Sequence, residues 1–384
     1  MRESPLYFDH AATTPVDPSV AAAMAQCLTA SAVWANASSQ HLYGRRARER
    51  VEQARAQVAA LIGAAPRDLL FTSGATESNN LAILGSVRGS GRRVHVVTVL
   101  SEHRSVLDAC RQLEREGHAV SYLAPDAQGM LPSAQLAAAL RPDTALVSIM
   151  QANNEIGVVQ DIGAMAAICR AKGVALHVDA AQSAGKLPID VAALGVDLLS
   201  FTGHKLYGPQ GIGALYATAP LRAVLQPLQF GGGQERGLRS GTLAVHQIVG
   251  FGVACELAGA ALPGESERLR QLSEALWQGL ADLPGALRNG HPSQRLPGLL
   301  NVSFEGVEGE SLLAGLPELA LSSGSACDSD SEEPSHVLRS LGRSRELAQS
   351  SLRFSLGRGT GATDVQRAIA AVRREVLRLQ AVAP

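Results

Sequence analysis

The sequence predicts an α/β fold, with a large domain built on a mostly parallel sheet flanked by helices and a smaller α+β domain. Three observations carry this. Through the first two-thirds of the chain a short apolar run is followed by a polar or glycine-bearing turn and then by a segment with helical spacing, the pattern of parallel strands joined by helices. Each apolar run ends in polar residues, as expected where an open parallel sheet presents its carboxyl ends to a ligand. Past about residue 260 the texture changes to an Ala/Leu/Arg-rich helix, a Pro/Gly link and short strands. The expected division is therefore 16–260 for the large domain, with 1–15 and 261–384 forming the small one.

The strands of the large domain are expected at residues 69–72, 94–100, 145–150, 174–178 and 198–202. Between them, residues 51–62 place Val51, Ala54, Val58 and Leu61 on one helical face, and residues 162–171 read as a second helix. In the small domain a helix is expected at 266–280 and strands near 300–304 and 352–356. A closing helix at 364–379 would be capped by Thr363, with Val365, Ile369, Val372, Val376 and Leu379 as a packing stripe. There is no internal repeat and no low-complexity linker.

A chain of 384 residues can bury a large core, and 34 basic against 35 acidic residues leave a formal net charge of −1. Nothing in that balance draws it to nucleic acid or to an anionic membrane, so a small molecule or a protein partner is expected. The five cysteines are odd in number and widely spaced, without a Cys-x-x-Cys pair, which argues against a disulfide framework or a zinc site and for a reducing compartment. Residues 1–10 carry Arg2, Glu3 and Asp9 and do not read as a signal peptide. The most apolar later stretch, 248–262, contains Glu256 and reads as too short to span a membrane. A soluble cytoplasmic protein is the expectation.

The strand ends hold the chemistry. Ser73-Gly74-Ala75-Thr76 stands between a strand and a helix, where backbone N–H groups can hold a phosphate; without a Walker lysine it is not a nucleoside triphosphate loop. Alone, such a turn is better explained as a helix cap. Asp179 ends an apolar run, where a buried carboxylate needs donors or a cation. Lys205 follows another such run beside His204, an unusual place for a residue that is ordinarily a solvated surface charge. A phosphate cradle, an isolated carboxylate and a desolvated lysine are together what pyridoxal 5'-phosphate requires: the lysine bonds the cofactor, the aspartate keeps the ring nitrogen protonated, and the helix end takes the phosphate.

At this point the chain resembles the cysteine desulfurases of the bacterial iron–sulfur cluster assembly type, which are fold type I pyridoxal-phosphate enzymes. The matching stretches are DHAATTP at 9–15, FTSGATESN at 71–79, NNEIG at 153–157, HVDAAQS at 177–183, SFTGHK at 200–205, RSGT at 239–242, SSGSAC at 322–327 and SLRFS at 351–355. The resemblance implies that L-cysteine is converted to L-alanine, with Lys205 holding the cofactor and acting as base, His103 stacking on the ring and relaying protons, and Cys327 accepting sulfur as a persulfide. It implies that Ala75, Thr76, Thr202 and His204 hold the phosphate, Asp179 the ring nitrogen and Gln182 the ring hydroxyl, while Asn154 and Arg353 meet the substrate carboxylate. Thr242 would reach the phosphate of a neighbouring subunit, which implies a homodimer. The sulfur would pass to an acceptor protein, for iron–sulfur cluster assembly or for thiolation.

Residue patterns support two of these assignments independently. Leu352, Phe354 and Leu356 alternate onto one strand face and leave Arg353 on the other. Cys327 lies among small polar residues that read as an exposed, mobile loop, whereas Cys27, Cys110, Cys169 and Cys255 fall in helix-like segments and read as small buried hydrophobes. The chain departs from the family at Asn36-Ala37, where Asn-Pro is common, and in the acidic run Asp328, Asp330, Glu332 and Glu333 after the cysteine. Read to Pro384, the chain is expected to lack the longer tail through which cluster-assembly members of the family meet their scaffold, which bears on the choice of partner. Other enzymes on the same cofactor site, a selenocysteine lyase, an aminotransferase or an epimerase, are the nearest alternatives, and the cysteine loop disfavours the last two. A non-catalytic sulfur carrier on this fold would require the loss of Lys205 or Asp179.

Overall fold

The computed structural model describes residues 4–29, 33–323 and 333–382; Cys327 and the acidic residues up to Glu332 lie outside them. The chain starts with a short strand, β1 (Leu6–Tyr7), and then builds a central sheet from β2 (Leu69–Thr72), β3 (His95–Val99), β4 (Ala119–Leu123), β5 (Thr144–Met150), β6 (Ala175–Asp179), β7 (Leu198–Thr202) and β8 (Gly213–Ala217). Their order is β2-β8-β7-β6-β5-β3-β4, and β8 alone runs antiparallel to its neighbours. The carboxyl ends of β2, β3, β5, β6 and β7 therefore share one edge.

Successive residues of a strand point to opposite faces, and here both faces are buried. Val97, Val147, Leu176, Val178, Leu199 and Phe201 enter one core, with the helices Pro18–Leu28, Leu42–Leu61 and Val245–Gln278 over it. Leu70, Val96, Leu146, Leu198 and Leu215 enter the other. The sequence reading found the five strands with continuous β-branched or leucine runs. It missed β4, which is half-buried along its whole length at the sheet edge, and β8, whose Gly213 and alanines dilute the apolar signal. Gly213 is required: a Cβ there would sit 2.7 Å from the Cα of Gly74, where the strand passes under the turn.

A four-stranded antiparallel sheet follows, ordered β12-β13-β10-β9 from β9 (Ala286–Arg288), β10 (Leu299–Phe304), β12 (Ser322–Ser323) and β13 (Ser351–Ser355), while β11 (Leu319–Ala320) pairs in parallel with β1. Leu300, Val302, Phe304, Leu352 and Phe354 form a separate core with Phe8 and with Val365, Val372 and Val376 of the last helix, Ala362–Val382.

Three helical expectations need correction. The helix expected at 51–62 spans Leu42–Leu61, because the His41 side chain accepts from the Gly44 amide and starts it a full two turns earlier. The helix expected at 266–280 is the second half of Val245–Gln278, a 34-residue helix that continues through Pro263. The 248–262 stretch is thus not a short apolar run: the helix is long and apolar enough by composition to cross a membrane. Its packing is that of a core helix, with Ile248, Phe251, Ala254 and Ala258 against the sheet layer and Leu269 and Leu276 in the second core. Thr363 does not cap the last helix. Asp364 instead reaches back to the Gly361 amide at 2.8 Å, the geometry of the third helical residue in a capping box.

Polar side chains inside the sheet are paired across strands. His177 bridges Ser148 Oγ on β5 at 2.8 Å and Ser200 Oγ on β7 at 2.9 Å, and burial pushes its imidazole down to about 3. The unfolded chain binds a proton there near 6.5 and the folded chain does not, so this contribution is complete above that pH and is lost as pH falls toward 3. Thermal melts between pH 7 and pH 4 should show stability falling with acid, and His177→Gln should flatten that slope although its melting temperature at pH 7 is lower. An unchanged slope in the variant would remove His177 from the account.

Candidate active site

At the shared strand edge lies a cavity of about 590 Å³. It is lined by Ala75 and Thr76 after β2, His103 after β3, Asn154 after β5, Asp179 and Gln182 from β6 onward, Thr202 at the end of β7 with His204 and Lys205 after it, and Arg353 of β13. Ten of the residues singled out from the sequence are thus brought together. Thr242 is not among the lining residues and is exposed. Cys327 lies outside the described residues.

Asp179 is the last residue of β6 and is buried. Its Oδ1 accepts from the Ala181 amide at 2.8 Å and its Oδ2 from Asn79 Nδ2 at 2.7 Å. Both donors are neutral. The second hydrogen of Asn79 Nδ2 goes to Ser105 Oγ at 2.9 Å, and that hydroxyl lies 2.8 Å from His103 Nδ1. Because the Ser105 amide also donates to Nδ1, that nitrogen is an acceptor and the neutral ring carries its proton on Nε2. Burial lowers the His103 pKa, with Asp179 acting in the opposite sense, so the ring is an imidazole able to hand on a proton. In the sequence Asn79 is the last residue of the FTSGATESN stretch. Its place one helical turn after the Ser73-Gly74-Ala75-Thr76 turn is the sequence signal for its role.

The Ala75–Asn80 helix opens into the cavity, and the amides of its first turn have no partner within the helix. Glu77 folds back onto the Ser73 amide at 2.6 Å and pairs with Arg239 at 2.8 Å. Burial opposes its ionisation, but these hydrogen bonds win and hold its carboxyl below the usual range. A second tie fixes the same stretch: Glu235 and Arg55, both buried, form two contacts of 2.7 and 2.8 Å, and Glu235 also accepts from the Phe71 amide at 2.8 Å. The glycine-rich segment before Thr242, which has no periodicity of its own, is anchored in this way to β2.

Lys205 donates to the carbonyl of Ala12 at 2.7 Å and to that of Ala11. His204 Nδ1 lies 3.1 Å from Thr13 Oγ1, and burial followed by repulsion from Lys205 brings it down to about 4. The N-terminal DHAATTP stretch therefore forms a wall of the cavity. Gln182 meets the same wall, donating from Nε2 to Ala11 O at 2.8 Å. Arg353 is buried rather than exposed: it pairs with Asp9 at 2.7 Å and donates to Asn154 O at 3.0 Å. Its Nε has no hydrogen-bond partner among the described residues.

Two further titratable groups, one buried and one half-buried, leave no signal in the sequence. Glu102 lies directly before His103; burial raises its pKa well above the ordinary carboxyl range, and its Oε1 accepts from the Met150 amide at 2.9 Å. Lys186 donates to Gln182 Oε1 at 3.3 Å, and desolvation of its amine, then repulsion from Lys205, brings it down to about 7. Nothing in a single sequence separates either from a surface charge.

The fold and this cavity define a class: an α/β enzyme of fold type I with a lysine, a carboxylate and a helix N-terminus at one sheet edge. The sequence profile of the class-V aminotransferases matches residues 6–368. The chain is 53% identical over 382 residues to the cysteine desulfurase IscS of Shewanella piezotolerans and 54% identical to that of Cronobacter sakazakii, in each case over 99% of this chain and 95% of the relative. Among solved structures it superposes on a NifS-like protein with a TM-score of 0.90 at 34% identity, covering 97% of this chain and all of the other. It also superposes on SspA in complex with cysteine with a TM-score of 0.82 at 38% identity, over 91% and 98%. The chain therefore belongs to the class-V aminotransferase family, among its cysteine desulfurases.

Asn79 is the neutral link between Asp179 and His103. Asn79→Ala should leave the fold intact and lower turnover on L-cysteine by about 10- to 100-fold, the range expected when a supporting hydrogen bond behind a catalytic group is lost. Steady-state kinetics at pH 8 would check this, and wild-type turnover would show that the link is dispensable.

Proposed function

We propose that the chain takes sulfur from L-cysteine to form L-alanine, with pyridoxal 5'-phosphate as cofactor and Cys327 as sulfur acceptor. The observation that carries this reading is the convergence, in one cavity, of Lys205, the buried Asp179 with only neutral donors on it, and the open first turn at Ala75 and Thr76. The residues fit the cofactor. Asp179 is an anion without a cation among the described residues, suited to a protonated ring nitrogen, and the first-turn amides with Thr202 and His204 suit a phosphate. Gln182 would meet the ring hydroxyl and His103 the ring face. When bound, pyridoxal phosphate supplies an electron sink for charge developing at the substrate α-carbon.

The remaining work falls to the chain. Arg353 and Asn154 would hold the substrate carboxylate, and the unpartnered Arg353 Nε supports this role. Lys205 would take the α-proton with its amine, next to the carbonyls on which it rests. His103, neutral and protonated on Nε2, would move a proton to or from the substrate thiol. Cys327 thiolate would then attack the substrate sulfur: an S–S bond forms, the C–S bond breaks with its electron pair remaining on carbon, and protonation of that carbon gives alanine. The persulfide passes to a second thiol or to an acceptor protein, for cluster assembly or for thiolation.

The exposed Thr242, on a segment braced by Glu235 and Arg239 yet outside its own chain's cavity, supports a homodimer in which it serves the neighbouring site. The separate cores support reading 16–260 as the cofactor-holding part and 1–15 with 261–384 as the part that carries the cysteine.

Lys205→Ala should lose the yellow colour of the purified protein and lower alanine formation by several orders of magnitude; full activity would end the assignment. Cys327→Ala should still bind the cofactor and change its absorption on adding L-cysteine, yet form neither protein persulfide nor stoichiometric alanine. Replacing Cys110, buried in the helix Arg104–Arg115, should leave turnover intact. Alanine at the wild-type rate from Cys327→Ala would favour direct elimination without a cysteine nucleophile.

A further inference from the structure

Behind the main cavity lies a second chamber of about 30 Å³, and Lys205 lines both. Lys186 lines only the rear one, which has room for a water or two but not for an amino acid or a cofactor ring. Lys186 therefore does not touch substrate or cofactor. What it does touch is Gln182, whose amide carries one acceptor oxygen and two donor hydrogens, and whose function depends on which end faces the cavity.

The two ends of that amide are fixed by opposite partners. The Ala11 carbonyl can only accept, and it takes Nε2 at 2.8 Å; the Lys186 ammonium can only donate, and it takes Oε1 at 3.3 Å. One hydrogen of Nε2 is used on Ala11, which leaves the other as a donor. We infer that Lys186 is a positioning residue that locks the Gln182 amide with its nitrogen end turned to the cofactor side. The inference rests on the reading of Gln182 as the partner of the ring hydroxyl. With Lys186 absent, Ala11 O is the single remaining anchor among the described residues, and Lys205 competes for that same carbonyl.

The lock depends on charge. Lys186 faces Lys205 and His204 from the turn after β7, Glu265 from the helix Val245–Gln278, Arg353 from β13 and His10 from the N-terminal wall. Tyr207 and Arg358 close the chamber. Among the described residues cations outnumber the one carboxylate, in keeping with an amine that gives up its proton near neutrality. As a neutral amine Lys186 gains a lone pair and no longer dictates the orientation, so the lock is strict below about pH 7 and loosens above it.

The test is a double-mutant cycle on cofactor affinity, with a cofactor-free measurement beside it. Lys186→Met should weaken pyridoxal-phosphate binding about tenfold in the wild-type background and less than twofold in Gln182→Leu, because its effect passes through that amide. Lys186→Arg, charged at every working pH, should restore affinity and remove its decline above pH 7. In the chain freed of cofactor, the Gln182 side-chain amide resonances should shift in Lys186→Met and return in Lys186→Arg. Equal losses in both backgrounds, or unmoved resonances, would overturn the inference. A wild-type chain that binds no cofactor while its Gln182 resonances respond as expected would instead sink the reading of the site. Should Lys186→Met fail to fold, Lys186→Gln, which can both donate and accept, serves in the same cycle with the same outcomes.

Discussion

A carboxylate kept out of water at the middle of the sheet edge is the constraint from which the arrangement of this site follows. Burying Asp179 is unfavourable unless donors meet both oxygens. The chain supplies them from neutral groups, Asn79 and the Ala181 amide, so the negative charge is solvated by dipoles without being cancelled. That choice propagates. Asn79 has a second hydrogen to place, Ser105 takes it, and the Ser105 hydroxyl is thereby turned toward His103. One buried charge thus fixes a tautomer two residues away from it.

The parallel arrangement makes this possible, because it delivers five strand ends to one edge with their side chains already ordered. Two cores hold those strands from both faces, so the edge residues cannot relax toward water without unpacking the layer beneath them. The N-terminal DHAATTP segment completes the enclosure from outside the sheet. Its carbonyls receive Lys205 and Gln182, its Thr13 meets His204, and its Asp9 pairs with Arg353. A stretch with little secondary structure of its own therefore makes contact with most of the chemistry.

How much of this the sequence made legible follows from what kind of signal each feature leaves. Strands buried on both faces leave continuous apolar runs, so β2, β3, β5, β6 and β7 could be read, and with them the positions of Thr76, His103, Asp179 and Lys205. Edge and glycine-bearing strands leave no such run, and β4 and β8 were not read. Helix ends differ from expectation where the cap is unusual, at His41 and at Gly361, and where the change of texture near residue 260 divides a helix that continues through Pro263 because it packs on both sides. Long-range polar ties leave no local mark. The Glu235–Arg55 pair joins residues 180 positions apart, and Lys186 looks from sequence like any solvated lysine. Arg353 was readable as cavity-facing from strand alternation, but its pairing with Asp9, 344 positions away, was not.

The helix Val245–Gln278 belongs to both cores, Ile248 to Ala258 in the first and Leu269 with Leu276 in the second. The groups suited to the cofactor sit at the strand ends of the first core, as does Asn154, whereas the Arg353 guanidinium projects from β13, in the second. On the proposed reading, the clamp on the amino acid thus draws one member from each of two bodies of packing joined by one rod. Under that reading, drift in the second core would move Arg353 while the cradle for the cofactor stays as it was, a division of labour through which one scaffold could be handed from one substrate to another without losing its chemistry.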